Sequence, residues 1–397
     1  MLQLDAVQTL ALAGVALFLG YGLCRWIPVL GKYNLPPPVI GGLVFAIAVW
    51  IAHERGTTLL ALDTSLQTPL MIAFFTTIGM NASLRLLRIS GTQVMIFLAL
   101  ASAFAIVQNL LGMAIAVGFD LHPLFGVLAG STTLTGGPAT GLAFAPLFEA
   151  AGVEGAESIA VAAAMSGIVL GGLVGGPAVT ILIRRFNLKA SATDPAGAAD
   201  IESTEAQQSE AAREYSALKS IVIILVAMWT GAWVSGLISS TGITLPAYVG
   251  AMLVGAFIRN LDDRTGWIGM SVSTTDLIGN VCLALFLAVA LMNLRLWELA
   301  GLALPLIINL GAQVAVVVAF CGVIYRIMGR DYDAAVMGGG FIGFMLGTTA
   351  NAMAVMRTLV ERYGPAPRAF LVAPLVGAFF IDFTNALIIT GFINFWS

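Results

Sequence analysis

Charge is what this chain has least of. Only 10% of its 397 residues are Asp, Glu, Lys or Arg, against roughly a quarter in soluble globular chains. The formal net charge is −3 and no basic stripe is present, which excludes a nucleic-acid-binding surface. Cysteine is scarce too. Cys24, Cys282 and Cys321 stand singly in apolar runs with no Cys-x-x-Cys spacing, which gives neither a disulfide framework nor a thiolate metal site. They read as small core hydrophobes. Long polar stretches are lacking apart from one, over 186–219. Neither a disordered chain nor a soluble enzyme fits this composition.

What is abundant is apolar surface. Hydrophobic types make up 59% of the chain and the mean hydropathy is +0.96. The 44 glycines suit close helix packing and interrupted helices in lipid. The composition predicts an all-α polytopic membrane protein. Ten spans are expected, near 7–28, 36–53, 67–80, 92–118, 158–183, 220–241, 245–259, 276–293, 300–327 and 368–393. Two further apolar segments, near 124–147 and 335–356, are crowded with Gly, Thr, Pro and Asn. Such backbone persists at membrane depth only where protein or a wet cavity shields it. Both are expected to be re-entrant hairpins, the first from outside and the second from inside.

Met1 to Leu10 carries Asp5 and no Lys or Arg, and Arg25 and Lys32 follow the first apolar run. A cleaved signal has its positive charge first, so a retained first helix with its N-terminus outside is expected. With that threading, only Arg55 and Arg295 of the 18 basic residues fall outside, as the positive-inside rule asks. Both termini are then outside. The halves echo each other at an offset near 210. Leu35-Pro36-Pro37-Pro38-Val39 matches Leu245-Pro246-Ala247-Tyr248-Val249, and Phe74 to Asn81 matches Phe286 to Asn293. Five spans per half makes the repeats inverted. The expected organisation is an N-terminal repeat over 1–185, a cytoplasmic linker over 186–219 read as a solvated tether, and a C-terminal repeat over 220–397. Inverted repeats with interrupted segments point to a secondary transporter, with its site at the midplane between the hairpins.

The first hairpin reads Gly130-Ser131-Thr132-Thr133-Leu134-Thr135-Gly136-Gly137-Pro138-Ala139-Thr140-Gly141. Its glycines let the backbone unwind and approach a ligand. Pro138 suits the opening of a short helix, whose free N–H groups attract an anion. Ser131, Thr132, Thr133, Thr135, Gly136, Gly137 and Thr140 are therefore candidate substrate contacts. Thr348, Thr349 and Asn351 are the polar tip of the second hairpin and join them. Asp382 lies inside the last span with Asn385 three residues on, on one helix face. With Asn109 and Thr135, they are the candidate Na⁺ ligands, Na⁺ being a hard cation suited to oxygen. Gln108, Asn280 and Gln313 read as interhelical hydrogen-bonding groups, and His122 as a turn residue. No Lys or Arg falls in the middle of a span, so an anionic substrate has to be held by N–H groups, hydroxyls and co-bound cations. A channel lacks support because no filter-like run of carbonyls is evident. An intramembrane protease needs paired aspartates or a Ser/His pair, and Asp382 stands alone.

At these segments the chain resembles the glutamate:Na⁺ symporter family. The stretches that carry the likeness include Pro69-Leu70-Met71-Ile72-Ala73-Phe74-Phe75, Leu128-Ala129-Gly130-Ser131, Val169 to Pro177, Tyr332-Asp333-Ala334-Ala335-Val336 and Val376 to Asp382. The resemblance covers nearly the whole chain except the linker. It implies Na⁺-driven uptake of L-glutamate across the bacterial inner membrane, ten spans, two re-entrant loops, a homodimer and an elevator-type movement. One departure stands at the first hairpin, where glutamate-transporting members carry Gly-Gly-His-Gly-Thr-Gly. Here Pro138-Ala139 replaces the His-Gly pair, and another small organic anion or dicarboxylate amino acid is the alternative substrate.

Overall fold

In a bilayer, backbone N–H and C=O groups find no water, so an apolar chain satisfies them inside helices. The computed structural model, which describes residues 2–57, 60–89, 91–190, 210–242 and 244–396, is helical almost throughout. In chain order, α1 (Ala6–Trp26) and a short α2 (Pro28–Lys32) lead to α3 (Pro37–Glu54), α4 (Gln67–Asn81), α5 (Leu84–Ile89) and α6 (Thr92–Gly118). Next, α7 (Pro123–Val127) runs through a π turn at Leu128–Thr132, and α8 (Gly137–Ala150) and α9 (Ala156–Arg185) follow. The second half holds α10 (Glu210–Ser239), α11 (Ala247–Thr265), α12 (Val272–Met292), a 3₁₀ stretch (Leu296–Leu302) and α13 (Ala303–Ile327). It ends with α14 (Tyr332–Met345), α15 (Thr349–Tyr363), α16 (Pro367–Leu375), a second π turn (Val376–Phe380) and α17 (Ile381–Trp396).

Among the described residues, seven helices are long and apolar enough to cross a membrane: α1, α3, α6, α9, α10, α12 and α13. The last helical pair, bent by 42°, makes an eighth if taken as one span. The segments expected to span near 67–80 and 245–259 are helices but do not qualify alone. α4 has only 15 residues, and α11 carries Arg259, Asp262, Asp263 and Arg264 near its end. The reason is mutual shielding. A Cβ at Gly79 would overlap the Met252 backbone, and one at Gly255 would overlap the Thr76 carbonyl. Small residues bring the two helices together, so each needs less apolar surface of its own. The sixth span also starts earlier than expected. α10 begins at Glu210, so residues 210–219, expected in the tether, are helical. The expected tether over 191–209 lies outside the described residues.

Contacts sort the helix ends into two groups. In one, Leu2–Gln3 pairs in parallel with Leu60–Ala61. His53 stacks on Trp297 at 4.1 Å, the Ser158 hydroxyl donates to the Arg295 carbonyl at 2.8 Å, and Asn394 bonds Thr244. In the other, Leu84 N–H donates to Asn260 at 2.8 Å, Lys219 to the Gly269 carbonyl, and Phe186 stacks on Tyr325 at 5.3 Å. The start of α7 and the end of α8 line one cavity of about 670 Å³, whose lining includes His122 and Glu149. At α14 and α15, the Tyr332 hydroxyl donates to the Gly364 carbonyl at 2.7 Å.

The helices form two packed bodies. α1, α3, α4, α10, α11 and α12 pack on one another, and α6 to α9 with α13 to α17 form the second body. The seam between them is apolar. Ala139 and Leu142 of α8 sit against Val39, Phe286, Leu287 and Leu291. Phe144, one turn further along α8, meets Tyr248 edge-on at 5.1 Å.

Candidate functional site

The two helix breaks face each other inside the second body. The first runs from the π turn to Gly136, where α8 starts with Gly137 at φ +70° and Pro138 in its first turn. The second is Leu346 to Thr348, between α14 and α15. A Cβ placed on Gly137 would lie 3.9 Å from both the Gly347 carbonyl and the Thr348 methyl. Two helix N-termini therefore converge. The first N–H groups of a helix have no partner within it, and Pro138 supplies none at all. At α15, Thr348 is the N-cap but makes no side-chain cap bond, and its Oγ1 is buried without a partner.

Gln108 of α6 joins the breaks. Its Nε2 donates to the Met345 carbonyl at 2.9 Å, and its Oε1 accepts from Thr135 Oγ1 at 2.7 Å. Asn109, the next residue, accepts from the Ser131 N–H at 2.9 Å. Asn385 of α17 donates to the Ser131 carbonyl at 2.9 Å. From α13, Asn309 donates to the Ala129 carbonyl at 2.7 Å and Gln313 to the Gln108 carbonyl at 2.8 Å. Asn351 donates to the Ile168 carbonyl at 2.7 Å, and Thr349 to the Gly377 carbonyl at 2.6 Å. Polar side chains thus meet backbone groups of both breaks, as buried backbone requires, while Gln313 and Asn351 add second bonds to carbonyls inside α6 and α9.

The supply of partners is incomplete. Ser131 Oγ, Thr132 Oγ1, Asn109 Nδ2, Asn309 Oδ1, Gln313 Oε1, Asn351 Oδ1 and Asn385 Oδ1 are buried with no hydrogen bond. Each such group costs free energy unless something meets it.

Of the candidate substrate contacts, Ser131, Thr132, Thr133 and Thr135 lie in or beside the π turn, and Gly136, Gly137 and Thr140 at the start of α8. Thr133 Oγ1 is spent on the Leu128 carbonyl at 2.8 Å. Of the candidate Na⁺ ligands, Thr135 and Asn109 are tied to Gln108 and Ser131, and Asn385 reaches the same π turn. Asp382 is one turn before Asn385 on α17, and among the described residues its carboxylate has no hydrogen bond or ion pair. His122 caps α7, its Nδ1 accepting from the Leu124 N–H at 3.3 Å. Asn309 was not singled out in the sequence. Its only signal there is a lone amide one helical turn before Gln313 in an otherwise apolar stretch. Among the described residues no group of three or more His, Cys, Asp or Glu is placed to hold a metal ion, so any cation here meets mostly neutral oxygens.

A multi-pass helical bundle that buries polar helix breaks and free amide oxygens in its apolar interior has the build of a membrane transport protein. The chain belongs to the sodium/glutamate symporter family. The family described as "Sodium/glutamate symporter" matches residues 2–365. The chain is 40% identical over 394 residues to the sodium/glutamate symporter of Haemophilus influenzae, covering 96% of this chain and 95% of that one. It is 40% identical over 396 residues to the sodium/glutamate symporter of Escherichia coli, covering 98% and 97%. The family match ends before α17, whereas these alignments take in almost the whole chain.

Proposed function

We propose that this protein couples the inward movement of Na⁺ to the uptake of L-glutamate across the bacterial inner membrane. The observation that carries the reading is the meeting of two helix N-termini beside a cluster of bare oxygens, with no Lys or Arg in the segments 124–147 and 335–356 that hold the breaks. The N–H groups at the starts of α8 and α15 suit a carboxylate. The hydroxyls of Ser131, Thr132, Thr140 and Thr348 orient it, and Thr349 and Asn351 fix the second tip. Cations at Asp382, Asn385 and the π turn offset the anion's charge, so substrate and Na⁺ bind best together. The names of the two 40% identical relatives favour glutamate. Pro138-Ala139 favours the second reading, another small organic anion or dicarboxylate amino acid.

In this reading the two interrupted pairs are re-entrant hairpins. The body holding α6 to α9 and α13 to α17 carries the site, and it slides along the other as an elevator. The apolar seam of Ala139, Leu142 and Phe144 supports such sliding because, among the described residues, no ion pair crosses it. Inverted repeats are supported by matched contacts. A Cβ at Gly126 of the first pair would overlap Gly112 of α6, and one at Gly338 of the second would press on Cys321 of α13. α1 packs on α3 as α10 packs on α11. The repeats are 1–185 and 220–397, both termini are outside, and the protein works as a homodimer.

Radiolabelled glutamate uptake into proteoliposomes tests this, with an inward Na⁺ gradient and then with K⁺ in its place. Uptake is expected only with Na⁺. Uptake that ignores the Na⁺ gradient overturns the coupling. Na⁺ stabilising the protein without glutamate uptake moves the substrate to the alternative class.

A further inference from the structure

We propose that Asn309 and Gln313 of α13, together with Ser131, Thr132 and Asn385, form a Na⁺ site of neutral oxygens around the π turn Leu128–Thr132. The inference rests on the reading of the chain as a Na⁺-coupled symporter and adds two ligands from a helix to which that reading gives no role.

The bare atoms are five oxygens: Asn309 Oδ1, Gln313 Oε1, Asn385 Oδ1, Ser131 Oγ and Thr132 Oγ1. All five residues are 0% exposed. The amide orientations are fixed by chemistry. Asn309, Gln313 and Asn385 each set their nitrogen against a backbone carbonyl, at 2.7, 2.8 and 2.9 Å. Turning any of them over would place oxygen against oxygen. The nitrogens are therefore used and the oxygens are left.

The anchors are close together along the chain. Asn309 holds Ala129 and Asn385 holds Ser131, both in the π turn. Gln313 holds Gln108, whose neighbour Asn109 takes the Ser131 N–H. Gln313 follows Asn309 by one helical turn, so both side chains point the same way. Two helices, α13 and α17, thus bring bare oxygens beside a turn that carries two more.

What fills such a place must satisfy several acceptors at once. A single water brings two donors, too few for this set. A cation meets every oxygen together. The ligands include no carboxylate, which disfavours Ca²⁺ and Mg²⁺, and no sulfur or imidazole, which disfavours transition metals. A monovalent hard cation remains.

The test reads ion binding without substrate. The purified full-length protein is melted in detergent across a NaCl series, with choline chloride holding ionic strength constant and KCl as the comparison. Wild type, Asn309→Leu, Gln313→Leu and Thr132→Val are compared. Wild type is expected to rise in melting midpoint with Na⁺ and not with K⁺. Each variant should need at least tenfold more Na⁺ for half of that rise. Thr132→Val is decisive if the others misfold, because it deletes an oxygen that makes no hydrogen bond. A water-filled site predicts instead that Thr132→Val titrates as wild type does, and that result overturns the proposal. Equal stabilisation by K⁺ overturns it too. A wild type that shows neither a Na⁺ response nor Na⁺-driven uptake strikes the functional reading itself.

Discussion

Replacing Gln108 by leucine removes a side chain that hydrogen-bonds both helix breaks. The residue is 0% exposed, and the change strands the Met345 carbonyl where water does not reach and leaves Thr135 Oγ1 only the Met345 sulfur, at 3.2 Å. A stranded group costs about 1–3 kcal/mol and sulfur is a weak acceptor, so the loss is at most roughly 2–6 kcal/mol. Leucine matches glutamine in volume closely enough that packing does not repay it. A stability of about 5–15 kcal/mol is typical of a folded chain, so the variant still folds and can be assayed. Na⁺-driven uptake should nevertheless fall by at least two orders of magnitude, because Thr135 and Met345 are no longer held in register. Gln313→Leu is the internal scale. It removes only a second bond to the Gln108 carbonyl, which α6 itself still satisfies, so without Na⁺ it should cost about half as much or less. The measurements are the apparent melting midpoint in detergent and uptake into proteoliposomes. A Gln108→Leu protein with the wild-type midpoint and wild-type uptake would falsify the claim that this residue couples the breaks.

Three further outcomes follow from the same geometry. Tyr248 is 4% exposed with its hydroxyl buried and unpartnered between Phe75 and Phe144. Tyr248→Phe should therefore raise the melting midpoint, by about 1 kcal/mol of stability; a fall of that size would mean the hydroxyl has a partner. Gly126→Ala should abolish stable expression because a Cβ there overlaps the Gly112 backbone, whereas Gly322→Ala, with nothing within 4 Å, should be neutral or slightly stabilising. Burial pushes the Asp262 carboxyl up, but N–H groups of Met270, Gly269 and Ile268 outweigh it, and with Arg259 they hold it below the usual carboxylate value of 3.8. Its contribution is complete above the unfolded value and is lost as pH falls through the lower native one. The midpoint of wild type should thus drop below about pH 4 with a slope that Asp262→Asn lacks, and parallel pH curves for the two would refute this.

Much of the site was legible because breaks leave a compositional mark. Gly136-Gly137-Pro138 and Gly347-Thr348 are where an apolar stretch stops being helical, and a helix break in lipid needs polar or glycine residues. Asp382 and Asn385 were legible as polar groups three apart in a span. Gln108 was readable as a hydrogen-bonding residue, but nothing in the sequence says that it reaches Met345, 237 positions away. Asn309 and Tyr248 left no signal of that strength, since one polar atom in an apolar helix is common. The α4–α11 crossing was hidden for another reason. Hydropathy measures a helix against lipid, and these two helices meet each other. Their glycines Gly79 and Gly255 carry the information, yet glycine is so frequent here that neither stands out.

The isolation of Asp382 has an electrical consequence. Among the described residues no ion pair offsets it. In the proposed cycle an ionised Asp382 makes the interior of the unloaded protein negative, while one bound Na⁺ makes it neutral. A group carrying one charge through the whole membrane field does work of about 2.3 kcal/mol per 100 mV. With the cell interior negative, that field opposes an unloaded, negatively charged body moving inward and assists its return outward. On the proposed elevator reading, the membrane potential then acts on the empty half of the cycle as well as on the loaded half, through a single carboxylate.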